Sequence, residues 1–247
     1  MLKFVGCTDS DLSEPRNIAE VSSLREAPYE NPCWKPTPDC RNLKTVTNEV
    51  ISLPGYCDIA VSYRLWDCQG VITLEDLTYH FVAGTSCNDW LASVQTSCYN
   101  SCTFNDTQPP MDPNCIQDCI SDAILQVNQD AHWYILEEYL RENNYVSCDD
   151  PFGNPPIATR FFMEQCKLVC HSSPYEYYSP QDIEIYVCGG GCCEQGAKIC
   201  FDNAGNAVRQ DPYSNSNGIN CSTVSQICEQ LYNEHTVSDC KPATCSN

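Results

Sequence analysis

Twenty-one cysteines, spread from Cys7 to Cys245, constrain the fold of this 247-residue chain more than any other feature. Such a density is typical of exported, disulfide-linked proteins, because a reducing cytosol keeps thiols reduced. Multiple zinc sites are the alternative, but they need ligand pairs such as CxxC, and the sequence has none. The cysteines therefore predict an oxidised, extracellular or cell-surface protein, and no motif calls for a metal or another cofactor.

The odd number of cysteines leaves at least one sulfur without a partner in the same chain. Cys7 is the candidate, because it lies in an acidic N-terminal region, far from the other cysteines. Its thiol would be free, bonded to another chain or attached to a lipid. The six residues before it contain no apolar segment, which argues against a cleaved lipoprotein signal. Since no signal peptide is visible, we expect the sequence to be that of a mature form.

The formal net charge is −20 at pH 7. This charge argues against nucleic acid as a partner, because phosphates would be repelled, and against docking on anionic lipid. No stretch approaches eighteen consecutive apolar residues, so the sequence predicts no membrane-spanning helix. The expected partners are other proteins at the cell surface, including copies of the chain itself.

The order of motifs divides the chain into three regions. Residues 1–50 are polar and rich in proline, and the stretch ENPCWKPTPDC predicts an irregular, disulfide-stapled N-terminal arm. Residues 51–210 predict one disulfide-rich domain of strands and helices. Residues 211–247, rich in Asn and Ser, predict a cysteine-stapled C-terminal tail with one short helix from Ser222.

Residues 51–86 predict a β-hairpin. In VITLEDLTYHFV, the spacing of apolar residues changes phase, which predicts a bulge near Glu75–Asp76. Further β-like runs are IATRFFMEQCKLVC, IEIYVC and AKICFD, and DNAGNAV predicts a hairpin turn. The first strand of the hairpin alternates cleanly, with one face formed by Cys57, Ile59, Val61, Tyr63 and Leu65.

Residues 87–145 predict two helices separated by a proline-rich loop. Ser86 and Asp89 fit a capping box at the start of the first helix. Asp112 and Pro113 are a favourable N-cap and first residue for the second. The apolar stripe of this second helix continues to about Asn143, which makes it unusually long.

Four cysteines in this region form two CxxxC pairs twelve residues apart. Cysteines at i and i+4 lie on one helical face, so two antiparallel helices would pair Cys98 with Cys119 and Cys102 with Cys115. Zinc held by the same four sulfurs is the alternative. The remaining cysteines are expected in disulfides of unknown pairing, namely Cys33, Cys40, Cys57, Cys68, Cys87, Cys148, Cys166, Cys170, Cys188, Cys192, Cys193, Cys200, Cys221, Cys228, Cys240 and Cys245.

The predicted fold class is therefore α+β and disulfide-rich, with antiparallel β-hairpins plus a disulfide-stapled α-hairpin that contains one long helix. The twin CxxxC pattern resembles the α-hairpin of small intermembrane-space chaperones. This resemblance covers only residues 98–119, and we interpret it as local convergence that implies no chaperone activity.

A wider resemblance rests on CDIAVSYRLWDCQG, the long helix, RFFMEQCKLVC and GGGCCEQGAKICFDNAGN. In this order the motifs, which span roughly residues 50–210, are similar to cysteine-rich secreted or cell-surface proteins of Bacteroidota. The resemblance implies export to the outer surface, in association with outer-membrane or secretion machinery. It supplies no catalytic residues.

The histidines do not form a catalytic or metal-binding motif. HWYILEE on the long helix lacks the i, i+4 histidine pair of a metalloprotease, so we interpret His132 as a polar-face residue. His80 and His171 are interpreted as ordinary strand or turn residues, and His235 as exposed.

Two further groups have a chemical and a structural interpretation. Adjacent Cys192 and Cys193 would form a strained vicinal disulfide or, as we favour, bond different partners on opposite faces of a strand. Five loop residues carry oxygens suited to calcium but miss the EF-hand pattern, so a plain turn is favoured for Asp202, Asn203, Gly205, Asn206 and Asp211.

The stretch PYEYYSP concentrates tyrosines between prolines. Tyr175, Tyr177 and Tyr178 are candidates for a surface that contacts protein or glycan, with packing over the β region as the alternative. No other motif carries chemistry. We therefore expect a non-enzymatic extracellular structural or accessory subunit of a cell-surface or outer-membrane-associated protein assembly. The alternatives are a secreted glycan- or protein-binding module and a secreted hydrolase whose site is scattered in sequence.

Overall fold

The structure is a computed structural model, and it describes residues 33–103, 113–150, 152–164, 166–171, 183–187, 189–221 and 241–242. Within these residues lie two helices, α1 Thr85–Thr103 and α2 Pro113–Asn143. The strands are β1 Cys40–Ser52, β2 Asp58–Cys68, β3 Val71–Phe81, β4 Ile157–Glu164, β5 Cys166–His171, β6 Ile183–Val187, β7 Gly189–Phe201, β8 Ala207–Cys221 and β9 Lys241–Pro242.

Six strands form the larger sheet in the order β1-β2-β3-β4-β7-β8, and β6-β5-β9 form a smaller one. All neighbours in the larger sheet are antiparallel except β3 and β4, which are parallel with Ile72 opposite Thr159. The disulfide-rich α+β class is confirmed. The parallel pair was not predicted; it arises because α1 and α2 form the long crossover that parallel neighbours require.

One face of the larger sheet packs against α2. In register across β2, β3 and β4, Leu65, Leu74 and Phe161 are fully buried beneath this helix. The ring of Trp133 on α2 meets Phe161 edge to face, with 5.0 Å between ring centroids. The core therefore lies between the helices and one face of the sheet, and the opposite face is left for other contacts.

The hairpin of β2 and β3 turns at Gln69 and Gly70, which both have positive φ as the tightest hairpin turns require. A register shift between Ser62 and Arg64 lies opposite Asp76, whose φ is 58°. This is where the phase change in the sequence predicts a bulge. The bulge directs Glu75 and Asp76 toward the same neighbour, Arg64.

Helices α1 and α2 are joined by Cys98–Cys119 and Cys102–Cys115, with Cα–Cα distances of 5.6 and 6.0 Å. This is the pairing that the antiparallel geometry predicts. Pro113 begins α2, and the helix ends at Asn143 as expected from its apolar stripe.

Four other disulfides connect the remaining elements. Cys57–Cys87 joins the start of β2 to α1, Cys40–Cys68 joins β1 to β2, and Cys148–Cys200 joins the segment after α2 to β7. Cys33–Cys192 spans 159 residues. Since Cys192 bonds Cys33, it forms no vicinal bridge with Cys193. Cys166 takes part in a further disulfide, and so does Cys193.

Both ends of the predicted domain need correction. The irregular arm was predicted to reach residue 50, but Cys40–Ser52 is strand β1. The prolines stop at Pro38, and β-branched residues dominate the second half of this strand. The tail was predicted from residue 211, but β8 continues to Cys221. The short helix predicted at Ser222 and the cysteines Cys7, Cys188, Cys228, Cys240 and Cys245 lie outside the described residues.

Candidate functional site

The sheet face opposite the helices carries a group of aromatic and charged side chains. One row runs in register across five strands, from Trp66 through Thr73, Arg160 and Gly196 to Tyr213. A second row places Glu75 opposite Arg64, and Glu194 opposite Phe162. We call this surface the contact face, defined by Trp34, Arg64, Trp66, Glu75, Arg160, Phe162, Glu194 and Tyr213.

Residues 33–39, which we call the strap, lie over the contact face. Cys33 fastens the strap to Cys192 on β7, and after its last residue Cys40 bonds Cys68 at the end of β2. Between these bridges, Trp34 stacks on Phe162 of β4, with ring centroids 5.5 Å apart and planes 7° from parallel. Two disulfides and a ring stack therefore fix the strap on the sheet.

Arg160 connects the strap to the sheet. Its guanidinium carbon lies 5.9 Å from the ring centroid of Trp34 and 5.4 Å from that of Phe162. Its Nε donates to Thr73 Oγ1 at 3.0 Å, and Nη1 is 3.9 Å from Glu194 Oε1. The guanidinium therefore lies beside the stacked pair and within cation–π range of both rings.

Glu75 is the buried carboxyl of the contact face, with an exposed fraction of 3%. Its Oε2 accepts a hydrogen bond from Trp66 Nε1 at 2.6 Å and lies 3.3 Å from Arg64 Nε. Burial, and then the neighbouring Asp76 carboxylate, raise the pKa of Glu75 above its usual value, although Trp66 and Arg64 oppose the shift. Both partners orient this carboxyl within the sheet surface.

Tyr213 covers a glycine at the β8 end of the face. A Cβ added at Gly196 would lie 2.5 Å from ring atoms of Tyr213, so only glycine allows this ring to lie flat on β7. The hydroxyl of Tyr213 donates to Glu194 Oε1 at 3.0 Å. Burial and the Glu194 carboxylate raise the pKa of Tyr213 to about 12.

The prediction for His132 is wrong. Its exposed fraction is 1%, its ring stacks on Phe161 at 4.5 Å, and its Nδ1 donates to the Asn128 carbonyl at 2.6 Å. The error arose because α2 packs on more than one side, so a polar residue outside the main apolar stripe is still buried. His132 is a core residue, whereas His80 lies exposed on β3 as an ordinary strand residue.

Of the five residues considered for calcium, Asp202, Asn203, Gly205 and Asn206 lie in the turn between β7 and β8, and Asp211 lies within β8. The Asp202 carboxylate accepts hydrogen bonds from the backbone N–H groups of Ala204 and Asn206, and Asp211 pairs instead with Lys198 at 2.9 Å. This is the plain hairpin turn favoured from the sequence. Among the described residues, no group of three or more His, Cys, Asp or Glu is arranged to hold a metal ion.

Tyr175, Tyr177 and Tyr178, with His235, lie outside the described residues, and His171 is the last residue of strand β5. Sequence reasoning missed the contact face, although a signal was present. In CDIAVSYRLW the buried residues occupy alternate positions, so the intervening Arg64 and the following Trp66 had to share the other face. The alternation was used to predict only the buried face of the strand, so Arg64 and Trp66 were not identified as part of a surface site.

No helix in the described part of the chain is long and apolar enough to cross a membrane. No protein-family model matches the chain, and neither a curated protein nor a solved structure matches it.

Proposed function

We propose that the protein is a non-enzymatic extracellular subunit, structural or accessory, of a cell-surface or outer-membrane-associated protein assembly. The contact face would bind the neighbouring subunit. The observation that carries this proposal is that Trp34, Trp66, Tyr213 and two arginines lie partly exposed on one sheet face, each held by a ring contact, a hydrogen bond or an ion pair. Trp, Tyr and Arg are the residue types that dominate binding energy at protein interfaces.

The stacking of the rings favours a protein partner over a glycan. Glycan recognition by aromatic residues needs an open ring face. Here Trp34 stacks on Phe162, and the Arg64 guanidinium lies 6.0 Å from the Trp66 ring centroid. The ring edges and guanidinium groups can still contact a partner, and they suit the surface of another protein, where apolar and polar groups alternate.

The environment of Glu75 argues against the alternative of a hydrolase. A catalytic carboxyl must reach the substrate. Glu75 is buried, and its Oε2 already accepts a hydrogen bond from Trp66 and forms an ion pair with Arg64. We therefore assign this carboxyl a role in orienting the two side chains that would meet the partner.

The edges of the larger sheet favour contact through the face instead of strand addition. β1 has two register shifts and a positive φ at Asn48, and β8 has a positive φ at Asp211 followed by Pro212. Bulges, prolines and charged residues at sheet edges oppose pairing with another chain. The six disulfides between described cysteines support an exported location, where such bonds persist.

Copurification from the native source would test the proposal, with two matched arginine variants. Arg160→Ala removes the guanidinium from the contact face. Arg209→Ala is the control: Arg209 also bonds a glutamate, at 2.7 Å from Glu137, and lies 4.4 Å from the Trp133 ring, but on the helix side of the sheet. We expect the partner protein to be lost with Arg160→Ala and retained with Arg209→Ala.

Near-ultraviolet circular dichroism of both variants checks that the fold is intact. A partner retained equally by both folded variants would overturn the assignment of the contact face. Purification without any stoichiometric partner would overturn the proposed assembly. If Arg160→Ala does not fold, Arg160→Lys keeps the charge but loses the planar fork, and its partner binding is compared with Arg209→Lys in the same way.

A further inference from the structure

Phe152 is the most exposed large apolar side chain among the described residues, with an exposed fraction of 90%. The next, Val50, is 57% exposed. Phe152 lies between α2 and β4, in a turn at one end of the larger sheet, whereas the contact face lies on the flat of that sheet. The exposure of one apolar residue needs no explanation by itself. The turn that presents Phe152 is, however, held by several hydrogen bonds and a disulfide.

Asp150 fixes the turn. Its carboxylate accepts hydrogen bonds from Phe152 N at 2.8 Å and from Asn154 Nδ2 at 2.5 Å, and its carbonyl accepts one from Gly153 N at 3.1 Å. These bonds, that of the Phe152 N–H first, lower the pKa of the Asp150 carboxyl, so it stays ionised. Gly153 supplies the positive φ, 70°, that closes the turn.

The base of the turn is tied to β7. Cys148 forms a disulfide with Cys200, and its N–H donates to the Phe201 carbonyl at 2.8 Å. The exposed Tyr145 stacks on the Phe201 ring, with 4.8 Å between centroids. Phe152 is therefore presented by a pre-ordered support, which lowers the entropy lost when a partner binds it.

The surroundings of Phe152 are acidic. Asp149 and Asp150 belong to the same turn, and Asp149 accepts a hydrogen bond from Asn203 in the β7–β8 turn at 3.3 Å. Asp202 lies in that turn as well. The nearby cation, Arg141, is paired with Glu138 and lies over the Phe201 ring. An apolar anchor with a carboxylate rim is the result.

We propose that Phe152 anchors a second contact surface, which inserts into an apolar pocket rimmed by lysine or arginine on a partner protein. The acidic rim would be repelled by anionic lipid, which excludes simple insertion into such a membrane. It would also oppose a symmetric contact between two copies, because the carboxylates of the two rims would meet. Rigid aromatic anchors in complementary pockets are typical centres of interface binding energy. This surface is separate from the contact face and does not depend on it.

Site-specific photo-crosslinking in the source cells would test the proposal. Phe152 is replaced by p-benzoylphenylalanine, the cells are irradiated, and the crosslinked peptide is sequenced. Val50, an exposed apolar residue on β1 at the opposite edge of the larger sheet, is replaced in the same way as the control. We expect position 152 to crosslink one protein at an apolar segment flanked by Lys or Arg, and position 50 not to crosslink that segment.

The rim is tested separately with Asp149→Asn, which removes a charge but keeps the shape. We expect this variant, and 0.5 M salt, to reduce the yield of the position-152 crosslink several-fold. With the isolated partner, Phe152→Ala should weaken affinity at least about 10-fold, and Phe152→Leu less. Crosslinks to lipid or to a second copy, a partner segment without basic residues, no discrete adduct, or a yield independent of salt would each overturn the proposal.

Discussion

Removing the disulfide between Cys33 and Cys192 should destabilise the protein more than removing any bridge within the helical hairpin. The bridge fastens the strap to β7 and holds Trp34 on Phe162. The double substitution Cys33→Ser with Cys192→Ser deletes the cross-link without leaving a free thiol. The matched control, Cys102→Ser with Cys115→Ser, deletes a bridge of only 13 residues' separation.

The size of the effect follows from the entropy of the unfolded chain. Taken alone, a loop of 159 residues gives about 5 kcal/mol of stabilisation. The other bridges between described cysteines shorten the path from Cys33 to Cys192 to roughly 65 residues, which lowers the figure to about 4 kcal/mol. For Cys102–Cys115 the intact Cys98–Cys119 leaves a path of roughly 8 residues and about 2.5 kcal/mol.

Guanidinium denaturation of the unreduced variants, followed by far-ultraviolet circular dichroism, measures both losses. We expect the Cys33 and Cys192 variant to lose roughly 1.5 kcal/mol more than the control, or a melting temperature lower by a further ~3–6 °C. Chymotrypsin should also cut after Trp34 in this variant, because the strap is released, and not in the control. Equal losses in the two variants, or a strap that stays resistant to cleavage, would refute the reasoning.

Four further predictions concern the contact face and the whole chain. Gly196→Ala should cost about 1 kcal/mol or less, because its Cβ meets only the far end of the Tyr213 ring, which is 38% exposed and can turn aside, and the loss should vanish in a Tyr213→Ala background; a loss that is unchanged in that background would contradict the packing. Because the pKa of Glu75 is raised on folding, its contribution to stability is greatest below the unfolded value of 4.5 and falls as pH rises through the folded pKa. The stability of Glu75→Gln relative to wild type should therefore increase between pH 4 and pH 7, and a decrease over this range would contradict the direction of the shift. Alkylation of the denatured, unreduced protein should label no more than about four thiols, counted by intact mass. The charge of −20 should prevent any tight binding of DNA or RNA at physiological salt, and a saturable signal in a filter-binding assay would argue against this.

Local chemistry made the helical hairpin predictable from sequence. The pairing of Cys98 with Cys119 and Cys102 with Cys115 depends only on 3.6 residues per turn and an antiparallel arrangement. The start of α2 at Pro113 likewise depends on one residue and its fixed φ. Alternation in β2 and the bulge at Asp76 were readable for the same reason, since each is set by a few consecutive residues.

Features that depend on residues far apart in the sequence could not be predicted from it. The parallel pairing of β3 with β4 depends on how the helices return the chain to the sheet, and no short motif records it. The pairing of Cys33 with Cys192 joins residues that the sequence offers no reason to match. The contact face combines both, because its Trp34 reaches Phe162 only through that bridge and its Arg160 meets Thr73 only through that pairing.

The position of the strap links the redox state of the chain to its proposed binding role. Trp34 belongs to a segment with no regular secondary structure, so its place on the sheet depends on Cys33–Cys192 at one end and Cys40–Cys68 at the other. In a reducing compartment neither bridge would persist, and Trp34 would pay the full entropy of ordering seven residues to reach Phe162. The Arg160 guanidinium would then lose its contact with the Trp34 ring and keep only that with Phe162. Its orientation toward a partner would be less well fixed. The contact face is therefore complete only in the oxidised protein, which confines the proposed assembly to the compartment where the disulfides form.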